Sequence, residues 1–150
     1  MGQLRLEELS AKTIVAANNI TLRPGQEQFV TPPSYAIADA YVNPVTSWPR
    51  VVLDGDDVVG FIRGNFDPDA TQAEFRSCVW RVSVAADNQG KGIGTFAVLA
   101  LAEEAKTRGF EQITALWEPG DDGPEQFFLH MGFVISAQTQ YGENIGTLTI

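Results

Sequence analysis

Apolar and polar residues alternate with two different periods along this chain, and stretches of the two kinds come in a mixed order. A period of two is typical of strands, and a spacing of three or four is typical of helices. The predicted strands are Gln3–Leu9, Val51–Leu53, Val58–Ile62, Phe75–Val84, Ile113–Trp117, Phe133–Ile135 and Thr147–Ile150. The predicted helices are Ala11–Asn18, Ser34–Val42, Gly92–Lys106 and a short helix that starts at Asp122-Gly123-Pro124 and ends at Gly132. This order predicts a mixed α/β fold in which helices pack on a sheet.

Turn residues support several of these boundaries. Ser10 is a suitable N-cap for the first helix. The acidic, glycine-containing turn at 54–57 separates two β-rich runs and predicts a hairpin. Core packing is expected for each of the three tryptophans, Trp48, Trp80 and Trp117.

The strand Phe75–Val84 is predicted to present two different faces. Val82 and Val84 share one face, whereas Arg81 and Ser83 share the other. Cys78 lies in the same strand and is expected to be a small buried apolar residue rather than a nucleophile, because no base partner is evident.

Composition indicates one globular domain over residues 1–150, since 44% of the residues are hydrophobic and 19% are charged. Cys78 is the only cysteine, so no internal disulfide is expected, and a reducing cytoplasm is the expected compartment. No signal sequence is evident, and no apolar stretch approaches the ~20 residues of a membrane span. We therefore expect no membrane partner. The sequence has no cluster of Cys and His residues, so no metal site is predicted.

The charge of the chain bears on its partners. A net charge of −9 disfavours nucleic-acid binding, which usually rests on a basic surface. The same charge is compatible with a cationic small molecule, although an acidic surface that only confers solubility explains it equally well.

A glycine-rich turn, Gln89-Gly90-Lys91-Gly92-Ile93-Gly94, connects a predicted strand to the helix Gly92–Lys106. Glycines allow backbone N–H groups to converge on an anion, and a helix N-terminus adds partial positive charge. The spacing fits neither a P-loop, because Ala85 and Gly92 stand where Gly and Ser or Thr are needed, nor the dinucleotide pattern G-x-G-x-x-G. The turn therefore predicts a diphosphate site of another type.

The pattern Q-x-x-G-x-G in this turn resembles the acetyl-coenzyme A loop of the GNAT superfamily of N-acetyltransferases. Trp80-Arg81-Val82-Ser83-Val84 resembles the preceding strand of that family, and Pro119-Gly120 with the segment 127–133 resembles its later turn and helix. The resemblance implies a GNAT-like α/β (α+β mixed) fold, with a central, mostly antiparallel sheet of about six or seven strands flanked by about four helices.

The same resemblance implies the cofactor contacts. Acetyl-coenzyme A is the implied cosubstrate: the backbone of Val82 and Val84 would pair with its pantetheine arm, and residues 89–94 would surround its pyrophosphate. Family members often dimerise, so a homodimer is one of the oligomeric states that the resemblance allows for this chain. The implied cofactor-binding residues are Val82, Val84, Gln89, Gly90, Lys91, Gly92, Ile93, Gly94, Thr95, Asp121 and Phe128.

The acceptor is implied to be a small-molecule primary amine. Residues 26–30 with Ser34 to Tyr41 resemble the first segment of bacterial polyamine-acetylating members of the family. An alkyl ammonium has a pKa near ~10.4, so the enzyme must accept a proton before the amine can attack a thioester. Glu27 and Glu118 are candidates for this role, and Asp39 and Glu74 are further carboxylates that would attract a cation.

Two departures from the family pattern affect catalysis. Many members have a tyrosine, acting as the acid for the leaving thiolate, where this chain has Phe128, and an asparagine where it has Asp121. A phenyl ring cannot donate a proton. Either Tyr141 replaces the tyrosine, or solvent protonates the thiolate, or the chain is a catalytically silent acetyl-coenzyme A-binding module.

Overall fold

The computed structural model describes residues 3–20, 33–120 and 123–150. Its strands are β1 (Leu4–Glu8), β2 (Ser47–Asp54), β3 (Asp57–Phe66), β4 (Ser77–Val84), β5 (Gln112–Trp117), β6 (Val134–Gln138) and β7 (Asn144–Thr149). Its helices are α1 (Ile14–Asn18), α2 (Pro33–Val42), α3 (Ile93–Thr107) and α4 (Glu125–Met131), with short 3₁₀ turns at Ala73–Phe75 and Ala86–Asn88.

The seven strands form one sheet in the order β1-β2-β3-β4-β5-β7-β6. All neighbouring strands pair antiparallel except β4 and β5, which are parallel. Helix α3 connects these two strands, as a parallel pair requires a crossover. The predicted mixed fold, with a mostly antiparallel sheet and four helices, is confirmed.

Both faces of the sheet bury apolar side chains, because successive residues of a strand point to opposite sides. Val52 packs with Val98 and Leu101 of α3 in the larger cluster. The neighbouring residue Val51 packs on the other face, in a smaller cluster that contains Ala17 of α1 and Ala36 of α2. The sheet therefore separates an α3 face from an α1/α2 face.

Several element boundaries differ from the predicted ones. Strands β2 and β3 extend well beyond Val51–Leu53 and Val58–Ile62. Pro49 and Gly64 lie in the added parts, and proline and glycine weaken a strand pattern in the sequence. At the other end, β6 and β7 are also longer than predicted.

The first helix begins later than predicted. It starts at Ile14 rather than Ala11, and the Oγ of Ser10 accepts a hydrogen bond from the N–H of Lys12 (3.2 Å) in the turn that precedes it. Strand β4 begins at Ser77 because Phe75 belongs to a 3₁₀ turn. None of the helices in the described residues is both long and apolar enough to cross a membrane.

Candidate functional site

The centre of the sheet opens between β4 and β5. The two strands pair only at Cys78–Thr114 and Val79–Ala115, although β4 continues to Val84 and β5 to Trp117. Opposite β3, the register shifts so that Trp80 is an extra residue between Val79 and Arg81. A bulge of this kind bends its strand. The carboxyl-terminal ends of β4 and β5 therefore diverge and leave a cleft.

The backbone of β4 faces this cleft at Val82 and Val84. Ala85 donates its N–H to the carbonyl of Val59 in β3 (2.9 Å), which makes these two residues a hydrogen-bonded pair. Backbone groups alternate along an antiparallel pair, so those of Val82 and Val84 point away from β3, towards the side where β5 has diverged. The side-chain amide of Gln89 donates to the carbonyl of Val84 (3.0 Å). The N–H and C=O of Val82 are thus placed to pair with an extended ligand.

The side chains of this strand separate as predicted. Val82 and Val84 pack against the α3 cluster. Arg81 and Ser83 are buried at 5% and 4% exposure, opposite Arg63 and Phe61 of β3 on the α1/α2 face. Burial lowers the pKa of Arg81 to about 10, which leaves its guanidinium charged at neutral pH.

The glycine-rich turn lies at the same end of the sheet, between β4 and α3. Gly90 and Gly92 have φ angles of 80° and 81°, in the left-handed region that favours glycine, and an added Cβ would meet nothing within 4 Å at either position. Gly92 is the N-cap of α3, and no acidic side chain lies in the first turn of this helix. The first N–H groups of a helix have no partner within it. The turn thus leaves backbone N–H groups at the start of α3 open to an anion.

The residues of this turn differ in what they expose. Ile93 is 1% exposed and packs in the core, and an added Cβ on Gly94 would lie 3.0 Å from the ring of Phe127. These two residues therefore offer only backbone groups to a ligand. The exposed members of the predicted set are Gly90, Lys91, Gly92 and Thr95, with Gln89 half-buried.

An aromatic cluster lies at the end of β5. The rings of Trp117 and Phe128 stack at 5.0 Å, and Phe128 also contacts Phe133 edge-on at 5.3 Å. Phe128 is 4% exposed, so the predicted cofactor residue lies inside this cluster. Its ring carries no proton donor.

Glu125 fixes this cluster and was not found from the sequence. Its Oε1 accepts hydrogen bonds from the Nε1 of Trp117 (3.0 Å) and from the Nδ2 of Asn144 (2.8 Å). The carboxylate thereby joins α4 to the ends of β5 and β7. An acidic residue in the first turn of a helix was the only signal in the sequence.

Two predicted catalytic residues lie at the open end of the sheet. Glu118 is exposed and directly follows β5. Tyr141 is 82% exposed in the turn between β6 and β7, and the pairing of Trp117 with Asn144 brings this turn to the carboxyl end of β5. Because β4 and β5 are parallel, the glycine-rich turn is at that end as well. Glu27 and Asp121 lie outside the described residues.

Cys78 and Trp80 gave opposite outcomes. Cys78 is 1% exposed, which confirms the predicted buried position, and burial raises the pKa of its thiol to about 12. The expected core position of Trp80 is wrong: it is 45% exposed, at the bulge of β4, with its ring against Arg63 on the α1/α2 face. Across the described ranges, no three His, Cys, Asp or Glu residues are grouped to hold a metal ion.

Residues 14–133 match the model of the Acetyltransferase (GNAT) family. The chain belongs to this family. Among solved structures, the GNAT fold is shared with the PaiA N-acetyltransferase from Thermoplasma acidophilum in complex with coenzyme A, with a TM-score of 0.73, 13% identity and coverage of 99% of each chain.

Two curated relatives with similar sequences have the same name. L-2,4-diaminobutyric acid acetyltransferase from Shouchella clausii is 30% identical over 78 residues, which cover 52% of this chain and 42% of the relative. The protein of that description from Virgibacillus pantothenticus is 29% identical over 92 residues, which cover 61% of this chain and 56% of the relative. The chain spans about half the length of the curated relatives it matches.

Proposed function

We propose that this GNAT protein is an acetyl-coenzyme A-dependent N-acetyltransferase that acts on a primary amine of a small cationic acceptor. The observation that carries the proposal is the cleft between β4 and β5, which ends at the open N-terminus of α3. A ligand with an extended, hydrogen-bonding arm and a diphosphate fits these two features together. Coenzyme A has both.

The residues present fit this cofactor. Val82 and the N–H of Val84 would hold the pantetheine arm, because their backbone groups point into the cleft. The backbone at Gly90 and Gly92 would hold the diphosphate, since neither residue has a side chain in the way. The exposed Lys91 adds a positive charge beside it.

Bound acetyl-coenzyme A supplies a thioester whose carbonyl carbon forms a C–N bond with the amine as the C–S bond breaks. The chain must hold the amine at this carbon and receive the proton that the amine loses. Glu118 is at the right end of the sheet to receive it, directly or through water, and Tyr141 is at the same end to return a proton to the thiolate. Both residues are exposed to solvent.

The acceptor that we propose is a polyamine or a diamino acid. The curated relatives are named for acetylation of L-2,4-diaminobutyric acid, and residues 26–30 with Ser34 to Tyr41 resemble the first segment of polyamine-acetylating members of the family. Both kinds of molecule carry more than one amine. The net charge of −9 favours the approach of either to the protein.

A coenzyme A-binding module without catalysis is the second candidate, and Phe128 favours it. This buried ring replaces the tyrosine that acts as the acid in many members of the family. Release of thiol from acetyl-coenzyme A, measured with spermidine, 1,3-diaminopropane and L-2,4-diaminobutyrate, decides between the two. Turnover with any amine supports the enzyme, whereas thermal stabilisation by the cofactor without thiol release supports the module.

A further inference from the structure

A second concave site lies on the α1/α2 face, beside the cleft. Its volume is about 340 Å³, and α2, β3, the segment 67–75 and Trp80 of β4 form its walls. This volume is in the range of small-molecule sites, which begins at roughly 300 Å³. None of the residues assigned to the cofactor above lines it.

Arg63 forms the floor of this cavity and has its charge already matched. Its side chain is 1% exposed, and its Nη2 lies 2.6 Å from Oδ2 of Asp39. The Nη1 donates to the Oδ1 of Asn65 (3.1 Å), Nη2 also donates to Oγ of Ser47, and the guanidinium carbon lies 4.6 Å from the centre of the Trp80 ring. These contacts hold Asp39 and Trp80 at fixed positions in the wall.

Asp67 adds a second carboxylate to the same wall. It is partly exposed, its Oδ1 accepts the backbone N–H of Asp69 (3.2 Å), and no ion pair to it is present in the part of the chain that the structure describes. The walls therefore contain two carboxylates, Asp39 and Asp67, against one guanidinium, and a half-exposed indole. Arg81 is a further guanidinium on this face, opposite Arg63 in the strand register, but it does not line the cavity. Because Asp39 is already paired with Arg63, Asp67 is the lining carboxylate that has no ion pair among the described residues, and a small cation can pair with it beside the indole.

The cavity begins where the cleft begins. Trp80 is the first residue of β4 beyond its pairing with β5, and Val82 follows two residues later. At ~3.4 Å per residue in a strand, the two positions are about 7 Å apart. Sites this close together can be reached by the two ends of one small molecule.

We propose that this cavity binds the second ammonium of a diamine acceptor, between Asp39, Asp67 and Trp80, while the first amine reacts in the cleft. The assignment rests on the proposed acetyl transfer for its orientation, but the binding itself does not depend on turnover. A plain diamine and a diamino acid share this second ammonium. Asp39 and Asp67 thus become specificity residues.

The kinetic test compares propylamine, 1,3-diaminopropane and L-2,4-diaminobutyrate in the thiol-release assay. We expect a KM for at least one of the two diamines at least tenfold below that of propylamine. Asp67→Asn should reduce this preference at least fivefold through KM, with little change in kcat. Asp69→Asn is the matched control, because Asp69 is an exposed carboxylate of the same loop that does not line the cavity, and it should keep the preference.

Comparison of the two diamines shows whether the ammonium alone is recognised or the carboxylate of the diamino acid as well. A preference shared by 1,3-diaminopropane and L-2,4-diaminobutyrate shows that the ammonium alone is recognised. A preference for the diamino acid alone, still reduced by Asp67→Asn, supports the cavity and adds recognition of a carboxylate. Equal KM values for all three amines, or a preference that Asp67→Asn leaves intact, would overturn the assignment while leaving acetyl transfer in place.

A binding measurement covers the case in which no amine is turned over. Titration calorimetry with 1,3-diaminopropane and propylamine on the full chain should show binding of the diamine that Asp67→Asn weakens and Asp69→Asn preserves. Such a result supports the cavity even if acetyl transfer fails. Failure of wild-type protein to bind the diamine more tightly than propylamine would overturn it.

Discussion

Gly146 of β7 lies under the indole of Trp117, and Gly146→Ala should destabilise the protein. An added Cβ would overlap Cη2 of this ring, lie 2.5 Å from Cζ3 and lie 3.4 Å from the Cβ of Phe133. Trp117 has little room to move, because it is 2% exposed, stacks on Phe128 at 5.0 Å and donates to Glu125. The indole must therefore rotate or the strands must separate.

The size of this effect follows from three contributions. Overpacking of a filled core costs about 1–3 kcal/mol. Loss of the hydrogen bond from Trp117 to the carboxylate of Glu125 adds roughly 1.5 kcal/mol. Replacing glycine by alanine in a strand returns about 0.5–1 kcal/mol through the unfolded chain. The expected net loss is about 1.5–4 kcal/mol, which lowers Tm by about 3–16 °C for a chain of this size.

The assay is urea and thermal unfolding of wild type, Gly146→Ala, Trp117→Phe and the double variant. Trp117→Phe removes the far end of the indole that the new Cβ would meet, so the two substitutions should be less harmful together than their sum by at least 1 kcal/mol. An unchanged Tm for Gly146→Ala would refute the packing described here. Strict additivity would refute the contact with Trp117 as its cause.

Three further outcomes are expected. The Cys78 thiol, whose pKa burial raises to about 12, should react with a disulfide reagent at pH 8 only after unfolding, and fast labelling of native protein would contradict its burial. The thiol of the unfolded chain loses its proton from about pH 9, whereas the folded one keeps it up to about pH 12, so Cys78 should make the free energy of unfolding fall as the pH rises from 9 to 12. Urea unfolding at several pH values should show a less steep fall for Cys78→Ala. Asp39→Asn should lower stability by about 1–3 kcal/mol because the buried guanidinium of Arg63 loses its anion, whereas Asp69→Asn should be neutral in the same unfolding assay; equal effects would contradict the ion pair.

The order of elements was predictable because strong periodic patterns fixed most of them. The apolar stripe of α3 and the hairpin turn at 54–57 were sufficient to place their elements. The length of β2 and β3 was not predictable, because Pro49 and Gly64 interrupt the strand pattern in the sequence. In the structure both residues are nevertheless paired with neighbouring strands. Trp80 lies at a β-bulge, and no residue in the surrounding sequence predicted that bulge.

The candidate site divides in the same way. The glycine-rich turn and the two faces of β4 are local properties of the chain, so the position of the turn and the separation of Val82 and Val84 from Arg81 and Ser83 could be predicted from the sequence. The contacts of Glu125 with Trp117 and Asn144 and the pairing of Arg63 with Asp39 join residues 8 to 24 positions apart. Such contacts arise only when the elements pack, which is why sequence patterns named Asp39 merely as an available carboxylate.

The anion-binding turn at the start of α3 is the central claim, and calorimetric titration of coenzyme A tests it most directly. Wild type should bind, whereas Gly92→Glu should weaken binding at least tenfold by placing a carboxylate and its bulk at the diphosphate position. Gly109→Glu is the matched control, because Gly109 has a φ of 90°, has equally open surroundings and follows the opposite end of α3, about 22 Å away; it should bind as wild type does. A folded Gly92→Glu variant with wild-type affinity, or wild type that does not bind coenzyme A, would contradict the account.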